Sequence, residues 1–204
     1  METLKERFKE RCKRGILQVH YYTRSAVLLP LLRDGRGDWR VLFEVRSAQL
    51  KAQPGEICFP GGRVDDGDAD ECEAAVREAC EELQIPPSSI EIWGDLGVLM
   101  TPFQQILYPF VGVLLQPERI TPNPREVEEV FTLRLASLLA VDPAYHQIPI
   151  RVHPPDDFPF EKIPGGRNYP WREGFLPEFF YELEGRIIWG LTARILHSFL
   201  EVIR

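Results

Sequence analysis

The stretch FPGGRVDDGDADECEAAVREACEELQI (residues 59–85) places a Pro-Gly-Gly bend directly before a regular helical pattern. Aspartate is a preferred N-cap residue, so Asp68 or Asp70 can begin a helix. The helix is predicted to run to about Leu83, because Pro86 and Pro87 prevent its continuation. Glycine lets another backbone approach closely, so the bend is expected to lie beside the helix.

The predicted helix has an apolar side and an acidic side. At about 100° per residue, one stripe should pack on a sheet, formed by Val76, Cys80 and Leu83 with Cys72 and Ala79 beside it. The opposite face carries Glu71, Glu78, Glu81 and Glu82. Arg77 can offset only roughly a few tenths of a kcal/mol of their mutual repulsion. This face is therefore either an ordinary solvated surface or part of an oxygen cage, with a glycine carbonyl, for Mg²⁺ or Mn²⁺.

Strands are predicted on both sides of this segment. The runs at 26–32 and 39–45 flank RDGRGD and indicate a hairpin. Further strands are expected at 56–59, 90–100, 106–115 and 130–135, the last leading into a short helix. A second hairpin is expected within 178–190, followed by a C-terminal helix with an inward face formed by Leu191, Ile195, Leu196 and Phe199. Strands interleaved with a few helices predict an α/β fold with helices packed on a sheet.

The bulk properties favour one globular domain spanning residues 1–204. The chain has 44% hydrophobic and 27% charged residues and a net charge of −7, which argues weakly against a nucleic-acid partner. It contains no apolar run long enough to span a membrane, and its four cysteines lack CxxC spacing, so a cytoplasmic location is expected. An amphipathic helix is predicted at about 2–14. A long irregular loop is predicted at about 142–174, where Pro and Gly are frequent.

The helix segment resembles the Nudix box, whose pattern is Gly, five residues, Glu, seven residues, then Arg-Glu-apolar-x-Glu-Glu-x-Gly-apolar. Gly62 matches the first glycine, and REACEELQI (77–85) matches the second half. The sequence departs from the pattern at three points. Asp68 replaces the first Glu, eight residues separate it from Arg77, and Gln84 replaces the last Gly.

The resemblance implies an α/β/α sandwich with a mixed central sheet that hydrolyses nucleoside diphosphate derivatives with the help of divalent cations. Carried over by position, Glu78 and Glu82 are the main metal ligands and Glu81 is an additional one. The carbonyl group of Gly61 or Gly62 can contribute a further ligand. Arg77 belongs to the same catalytic motif.

The preceding segment, RSAQLKAQPGEICFPGG (46–62), resembles the signature of the coenzyme A pyrophosphatase subfamily. The matching residues are Arg46, Ser47, Gly55, Phe59, Pro60, Gly61 and Gly62. Lys51 replaces the second Arg of that signature, and Glu44 stands at a Thr position. The resemblance implies that Arg46 and Lys51 bind anionic groups of the substrate, close to Gly61 and Gly62. The alternative for Arg46 is a surface residue at a strand end.

Another acidic residue can join the site from NPREVEEVF (123–131). In several Nudix enzymes a Glu of this region serves as a base or an extra metal ligand. Glu126 matches best by spacing, with Glu129 second. Both residues can equally be solvated loop carboxylates.

The sequence therefore predicts hydrolysis of the pyrophosphate bond of coenzyme A or its derivatives, giving 4′-phosphopantetheine and adenosine 3′,5′-bisphosphate. The partner is then a small-molecule substrate, with no nucleic acid and no membrane, and a homodimer is allowed. One alternative is the same chemistry on ADP-ribose, NADH or another nucleoside diphosphate derivative. A second is a non-catalytic module that binds a nucleotide. The retained Glu78, Glu81 and Glu82 favour an enzyme over such a module.

Overall fold

A computed structural model describes residues 19–204 of the chain. The amphipathic helix predicted at about 2–14 lies outside the described residues. Within residues 19–204, no helix has the length and apolar character needed to cross a membrane.

The central sheet contains eight strands. Its main path runs β3-β2-β1-β7-β5, while β4 also pairs with β1, β6 with β7 and β8 with β2. The strands are β1 (Thr23–Arg33), β2 (Trp39–Arg46), β3 (Ile57–Cys58), β4 (Gly61–Arg63), β5 (Ile90–Asp95), β6 (Leu99–Thr101), β7 (Gln105–Leu114) and β8 (Val127–Arg134). Because β1 is antiparallel to β2 and parallel to β7, the sheet is mixed.

The predicted hairpin at 26–45 is confirmed. Leu31 lies opposite Val41 and Arg33 opposite Trp39. The turn is held by Asp34, whose Oδ1 accepts hydrogen bonds from the backbone N–H groups of Arg36 and Asp38. Such Asx contacts are a common way for aspartate to fix a turn.

Helices cover both faces of the central sheet. Along β1, alternate side chains point to opposite faces, so Leu32 and Leu29 belong to different cores. Leu32 packs with Leu83 of α1 (Glu71–Leu83). On the other face, Leu29 belongs to the larger core, which includes residues of α2 (Leu135–Ala140) and α3 (Gly190–Ile203). The expected α/β/α sandwich is confirmed, and the four predicted inward residues of the C-terminal helix all pack against the larger core.

A second, three-stranded sheet corrects the prediction for residues 142–174. Its order is β11-β10-β9, with β9 at Ala144–Ile150, β10 at Gly174–Leu183 and β11 at Arg186–Ile188. The predicted hairpin near 178–190 is confirmed as β10 and β11. The irregular loop was predicted too long, because its first part pairs as a strand with β10, from Ala144 opposite Phe180 to Ile150 opposite Gly174.

Candidate active site

Helix α1 begins and ends as its terminal residues dictate. Asp70 is the N-cap, and its Oδ1 accepts a 2.8 Å hydrogen bond from the backbone N–H of Glu73. Gln84 closes the helix in the left-handed conformation, with φ 53° and ψ 46°, and its N–H donates to the Cys80 carbonyl. A left-handed residue after a helix is most often glycine. Gln84, which stands where the Nudix box has Gly, therefore keeps the backbone turn. The cost is the strain of a non-glycine residue in the left-handed conformation.

The buried face of α1 differs in part from the predicted stripe. Leu83 and Ala79 are buried as expected, but Val76 is only half-buried, and Ala74 and Ala75 lie against the sheet instead. These small residues allow a close approach to β1, where they pack with Ala26. The helix is thus rotated about its axis relative to the prediction.

Glu82 corrects the prediction of an entirely outward acidic face. It is only 5% exposed and lies on the side of α1 that faces the sheet. Its Oε2 accepts a 2.8 Å hydrogen bond from the backbone N–H of Gly61. This bond partly compensates the carboxylate for lost water, which explains how an acidic residue can occupy the buried side. Glu81, by contrast, is exposed.

Two glycines bring β4 against β1 and α1. Gly61 has φ +155°, and a Cβ there would lie 2.4 Å from the carbonyl oxygen of Ala26. At Gly62 a Cβ would lie 2.3 Å from Cδ of Glu78. The backbone of Gly62 therefore lies directly against the Glu78 carboxylate. The expected close approach of the bend to the helix is confirmed.

Arg77 is held by Asp68 despite the shorter side chain at this position. Its Nε and Nη2 donate to the two Asp68 oxygens at 2.9 and 3.1 Å, the bidentate geometry that suits a guanidinium. It also donates to Oε1 of Glu78 at 3.0 Å and to the Arg63 carbonyl at 3.0 Å. The Arg77 guanidinium lowers the pKa of Asp68 and keeps it ionised. Arg77 thereby positions Glu78 beside Gly62.

The loop before β8 is tied to the C-terminal end of α1. The N–H groups of Thr121 and Asn123 donate to the carbonyls of Leu83 and Glu82 at 3.0 and 2.8 Å. The Asn123 amide in turn donates to Oε1 of Glu126 at 3.0 Å. These contacts place the Glu126 carboxylate close enough to raise the pKa of Glu82 through its charge.

Glu129, the second choice by sequence spacing, is engaged elsewhere. Its carboxylate accepts from both terminal nitrogens of Arg186 on β11. The geometry therefore favours Glu126 over Glu129 as the acidic group that this loop contributes to the α1 carboxylates.

Glu44 is an acidic residue of the site to which the sequence motifs assign no chemical role. It lies on β2, is only 1% exposed, and neither carboxylate oxygen has a hydrogen-bond partner among residues 19–204. Burial, and then the charge of Glu82, raises the pKa of Glu44 well above its usual range. The surrounding sequence LFEV (residues 42–45) offered one signal, since the coenzyme A pyrophosphatase signature has a neutral Thr at the position of Glu44.

The carboxylates perturb one another strongly. Burial and the charges of Glu78 and Glu126, opposed by the Gly61 hydrogen bond, bring the pKa of Glu82 to about 8. Burial also raises the pKa of Glu78, with the Arg77 hydrogen bond acting in the opposite direction. A cluster of this kind is electrostatically unfavourable without a cation, which is typical of a metal-binding or catalytic site.

The residues present fit a site for divalent cations. The donors are carboxylate oxygens, which Mg²⁺ and Mn²⁺ prefer. The unpartnered Glu44 carboxyl group beside Glu82, whose pKa is raised by burial, can ionise when a cation offsets its charge. Within residues 19–204, no three His, Cys, Asp or Glu side chains are already close enough to hold a metal ion together. Binding therefore requires side-chain rotation, and Glu78 and Glu81 are the members that Arg77 now holds.

In EDTA, without divalent cations, the protein is expected to become less stable as the pH rises from about 5 to about 8. The pKa of Glu82 is 4.5 in its ordinary environment and about 8 in the fold, so across this window the folded state binds more protons than the unfolded state. The free energy of unfolding then decreases with rising pH. Thermal melting in EDTA should give a higher Tm at pH 5 than at pH 8.

The Glu44→Gln variant tests the origin of that slope. It removes one buried ionisable group, so its Tm should fall less steeply between pH 5 and pH 8. Asp34 and Asp68 do not interfere, because their pKa values are lowered from 3.8 and they titrate below this window. A wild-type Tm that is constant or rises across the window would contradict the assignment of the raised pKa values.

A cleft of about 660 Å³ opens beside these carboxylates. Arg46, Gly61 and Gly62 line it, so three of the predicted substrate-binding residues share one surface. Lys51 is exposed in the loop between β2 and β3 and is not part of the cleft wall. Cys58 also lines the cleft, but burial raises its pKa to about 12, so its thiol stays protonated and is a poor nucleophile at neutral pH.

A family model and similar proteins of known sequence point to the same family. The model of the NUDIX domain matches residues 22–154. An uncharacterized Nudix hydrolase NudL of Citrobacter koseri is 33% identical over 176 residues, covering 85% of this chain and 79% of that protein. The peroxisomal coenzyme A diphosphatase NUDT7 of Mus musculus is 41% identical over 110 residues, covering 54% of this chain and 46% of that protein.

Among solved structures, a MutT/nudix family protein from Enterococcus faecalis is similar with a TM-score of 0.51. The superposition covers 98% of this chain and 70% of that chain, at 13% sequence identity. At this level of identity the likeness concerns the fold alone.

Proposed function

Because the chain belongs to the NUDIX domain family and is a Nudix pyrophosphohydrolase, we propose that it hydrolyses the pyrophosphate bond of coenzyme A or its derivatives. The products are 4′-phosphopantetheine and adenosine 3′,5′-bisphosphate. The observation that carries this proposal is the position of Arg46 in the same cleft as Gly61 and Gly62. The likeness to the mouse coenzyme A diphosphatase over half of the chain supports the same substrate.

Arg46 provides a positive charge close to the carboxylates. Its charge acts to lower the pKa of both Glu44 and Glu82, which places the guanidinium within electrostatic reach of them. Coenzyme A carries a pyrophosphate and a ribose 3′-phosphate. With the pyrophosphate at the carboxylates and their cations, Arg46 remains available for the second anion, which a guanidinium can bind bidentately. Lys51 is exposed in the loop between β2 and β3, and we propose that it adds positive charge for the same anion.

Glu78 and Glu82 are proposed to hold the divalent cations, with Glu81 and a carbonyl of Gly61 or Gly62 completing the site. Nudix hydrolases generally need such cations, and Mg²⁺ or Mn²⁺ suits the oxygen donors of this site. Divalent cations held there would supply positive charge to offset the pyrophosphate and would lower the pKa of the attacking water. Arg77 acts through Glu78, because its hydrogen bond fixes that carboxylate against Gly62.

Glu126 is proposed as the general base. It lies close enough to influence the pKa of Glu78 and Glu82, and the Asn123 amide orients its carboxylate. In the reaction, water adds to one phosphorus of the pyrophosphate and gives a proton to Glu126. The bond from that phosphorus to the bridging oxygen breaks, and the leaving phosphate departs with that oxygen and its electron pair.

Replacing Arg46 with Met is expected to weaken coenzyme A binding more than binding of 3′-dephospho-coenzyme A. One charge-assisted hydrogen bond is worth about 1.5–3 kcal/mol, so KM for coenzyme A should rise about 10- to 100-fold. KM for the dephospho compound should change several-fold at most. Steady-state rates with Mg²⁺ and with Mn²⁺, followed by product mass, measure both effects.

The Arg46→Lys variant is the matched control, because it keeps the charge without the bidentate fork and should recover part of the affinity. Including ADP-ribose and NADH in the same panel tests the alternative nucleoside diphosphate substrates. Equal wild-type efficiency on coenzyme A, its dephospho form and ADP-ribose would contradict a 3′-phosphate site. No product with any of the four compounds would overturn the proposed substrate class.

A further inference from the structure

The cleft is lined by more than Arg46 and the two glycines. A second part of its wall, here called the far end, is formed by β10, by the start of α3 and by the segment that joins β11 to α3. Leu176, Glu178, Trp189 and Arg194 line this end, while Phe103 borders the cleft from the β6–β7 turn. None of these residues is proposed to take part in the hydrolysis itself.

Glu178 and Arg194 are an unusual pair within this far end. Glu178 is only 6% exposed, and its Oε2 is buried without a hydrogen-bond partner among residues 19–204. The Nη1 of Arg194 is likewise buried and unpartnered in this part of the chain. Both side chains line the same cleft, and the Glu178 charge opposes the lowering of the Arg194 pKa by burial, so the two groups lie within electrostatic reach of each other. A buried acceptor and a buried donor on the wall of one cleft are thus both left without a hydrogen-bond partner in this part of the chain.

A purely structural ion pair would close to hydrogen-bonding distance. Without a direct contact, the buried Glu178 carboxylate and the buried nitrogen of the half-buried Arg194 lose water and gain no hydrogen bond in return. Such an arrangement is favourable only if a third group completes the hydrogen bonds. Because the pair lies on the cleft wall, that third group can belong to the substrate.

The chemistry of the pair restricts what this group can be. Glu178 needs an N–H or O–H donor and repels phosphate, whereas Arg194 needs an acceptor. The phosphates of coenzyme A provide no N–H donor and have other binding groups at Arg46 and the cation site. A flat neutral group with an acceptor beside an N–H satisfies both residues, and Trp189 offers an aromatic surface next to it.

We propose that Glu178 and Arg194 form a subsite that reads an acceptor–donor edge in the non-phosphate part of the substrate. This inference rests on the proposed function, since coenzyme A carries two sources of that chemistry. One is an amide of the pantetheine arm, whose C=O and N–H point to opposite sides so that the amide would lie between the two residues. The other is the amino edge of adenine, where the N–H donor lies beside a ring-nitrogen acceptor. The subsite selects among nucleoside diphosphate derivatives that the cation site alone would treat alike.

Product binding tests the subsite without any turnover. Wild-type protein, Glu178→Leu and Arg194→Met are titrated calorimetrically with 4′-phosphopantetheine and with adenosine 3′,5′-bisphosphate. An amide-reading subsite raises Kd for the first product about tenfold in both variants and leaves the second unchanged. An adenine-reading subsite gives the reverse. Unchanged Kd values for both products, or no binding of either to the wild-type protein, overturn the proposal.

The matched control is Glu182→Leu, because Glu182 lies on the same strand but is exposed and outside the cleft. It should bind both products as the wild type does. Melting curves exclude a merely structural pair, which predicts a lower Tm with unchanged Kd values. Wild-type turnover of coenzyme A and ADP-ribose tests the proposed function separately. Turnover of ADP-ribose alone would overturn that function, while the two Kd values would still decide whether the subsite exists.

Discussion

Replacing Glu82 with Gln is expected to lower kcat about 10³-fold and to leave the protein folded. A divalent cation contributes several kcal/mol to charge stabilisation, and each 1.36 kcal/mol corresponds to a factor of ten in rate. Loss of a principal ligand worth about 4 kcal/mol therefore gives an effect of this size. The fold should survive because the Gln carbonyl can still accept the 2.8 Å hydrogen bond from Gly61.

Because Glu82 is a buried carboxylate, its replacement should also change the Tm in a direction that identifies its role. Burial raises its pKa to about 8, so the ionised carboxylate is unfavourable in the fold without a cation. In EDTA at pH 8, the Glu82→Gln variant should melt at the same temperature as the wild type or higher. A structural role for Glu82 alone predicts the opposite, a lower Tm together with lower activity.

Two control variants separate this effect from a general loss of negative charge. Glu91→Gln removes an exposed carboxylate on β5 and should retain wild-type activity. Glu81→Gln removes an exposed member of the cluster, whose contact with Arg77 is long at 3.4 Å, and should cost about tenfold in activity. Substantial activity in Glu82→Gln, measured with either Mg²⁺ or Mn²⁺, would contradict the assignment of Glu82 as a principal ligand.

Local patterns predicted the elements that carry their own signals. The turn residues at 34–38 predicted the first hairpin, and Asp70 with the prolines at 86 and 87 delimited α1. Each of these signals acts within a few residues, so no knowledge of the partner strand was needed. The second sheet differs, because β9 pairs with β10 about 30 residues further along the chain. Its seven residues contain a proline and lie in a segment rich in Pro and Gly, so a strand was not expected there.

The burial of the site carboxylates could not be predicted from the sequence. Helical periodicity placed Glu82 on the outer face, but the alanines at 74, 75 and 79 rotate the contact surface of α1 towards it. The burial of Glu44 could not be predicted either, since β2 is covered on both sides and its central residues are all buried. In such a strand, alternation no longer separates inward from outward positions. The raised pKa values arise from this tertiary packing, and no local pattern encodes it.

The two departures at Asp68 and Gln84 show how the motif tolerates change. In each case the structure keeps the physical requirement while the residue differs. Asp68 still binds Arg77 with both oxygens, although its side chain is shorter than that of Glu and eight residues separate the two. Gln84 still adopts the left-handed conformation that a glycine would adopt more easily. At these two positions, the observed geometry therefore shows whether the motif is intact better than residue identity to the family pattern does.

The adjacent glycines are expected to respond to alanine in opposite ways. At Gly61 a Cβ would meet the Ala26 carbonyl at 2.4 Å and Cα of Val27 at 2.7 Å, in a backbone conformation with φ +155°. These backbone atoms cannot move aside cheaply, so Gly61→Ala should destabilise the fold by about 3–5 kcal/mol. For a chain of this size, that corresponds to a fall in Tm of roughly 10 °C or more.

At Gly62 the obstacle is a side chain, and the expected loss is therefore one of function. A Cβ would lie 2.3 Å from Cδ of Glu78, whose carboxylate can rotate away at a cost of about 1 kcal/mol. Displacing a reacting or ligating group by about 1 Å can reduce the rate about 10²-fold, so Gly62→Ala should lose activity while its Tm changes little. Gly67→Ala is the matched control, because nothing lies within 4 Å of its Cβ position. If Gly62→Ala keeps wild-type kcat, Glu78 does not depend on its contact with β4. If Gly61→Ala melts like the wild type, the close packing of β4 on β1 is not what supports the site.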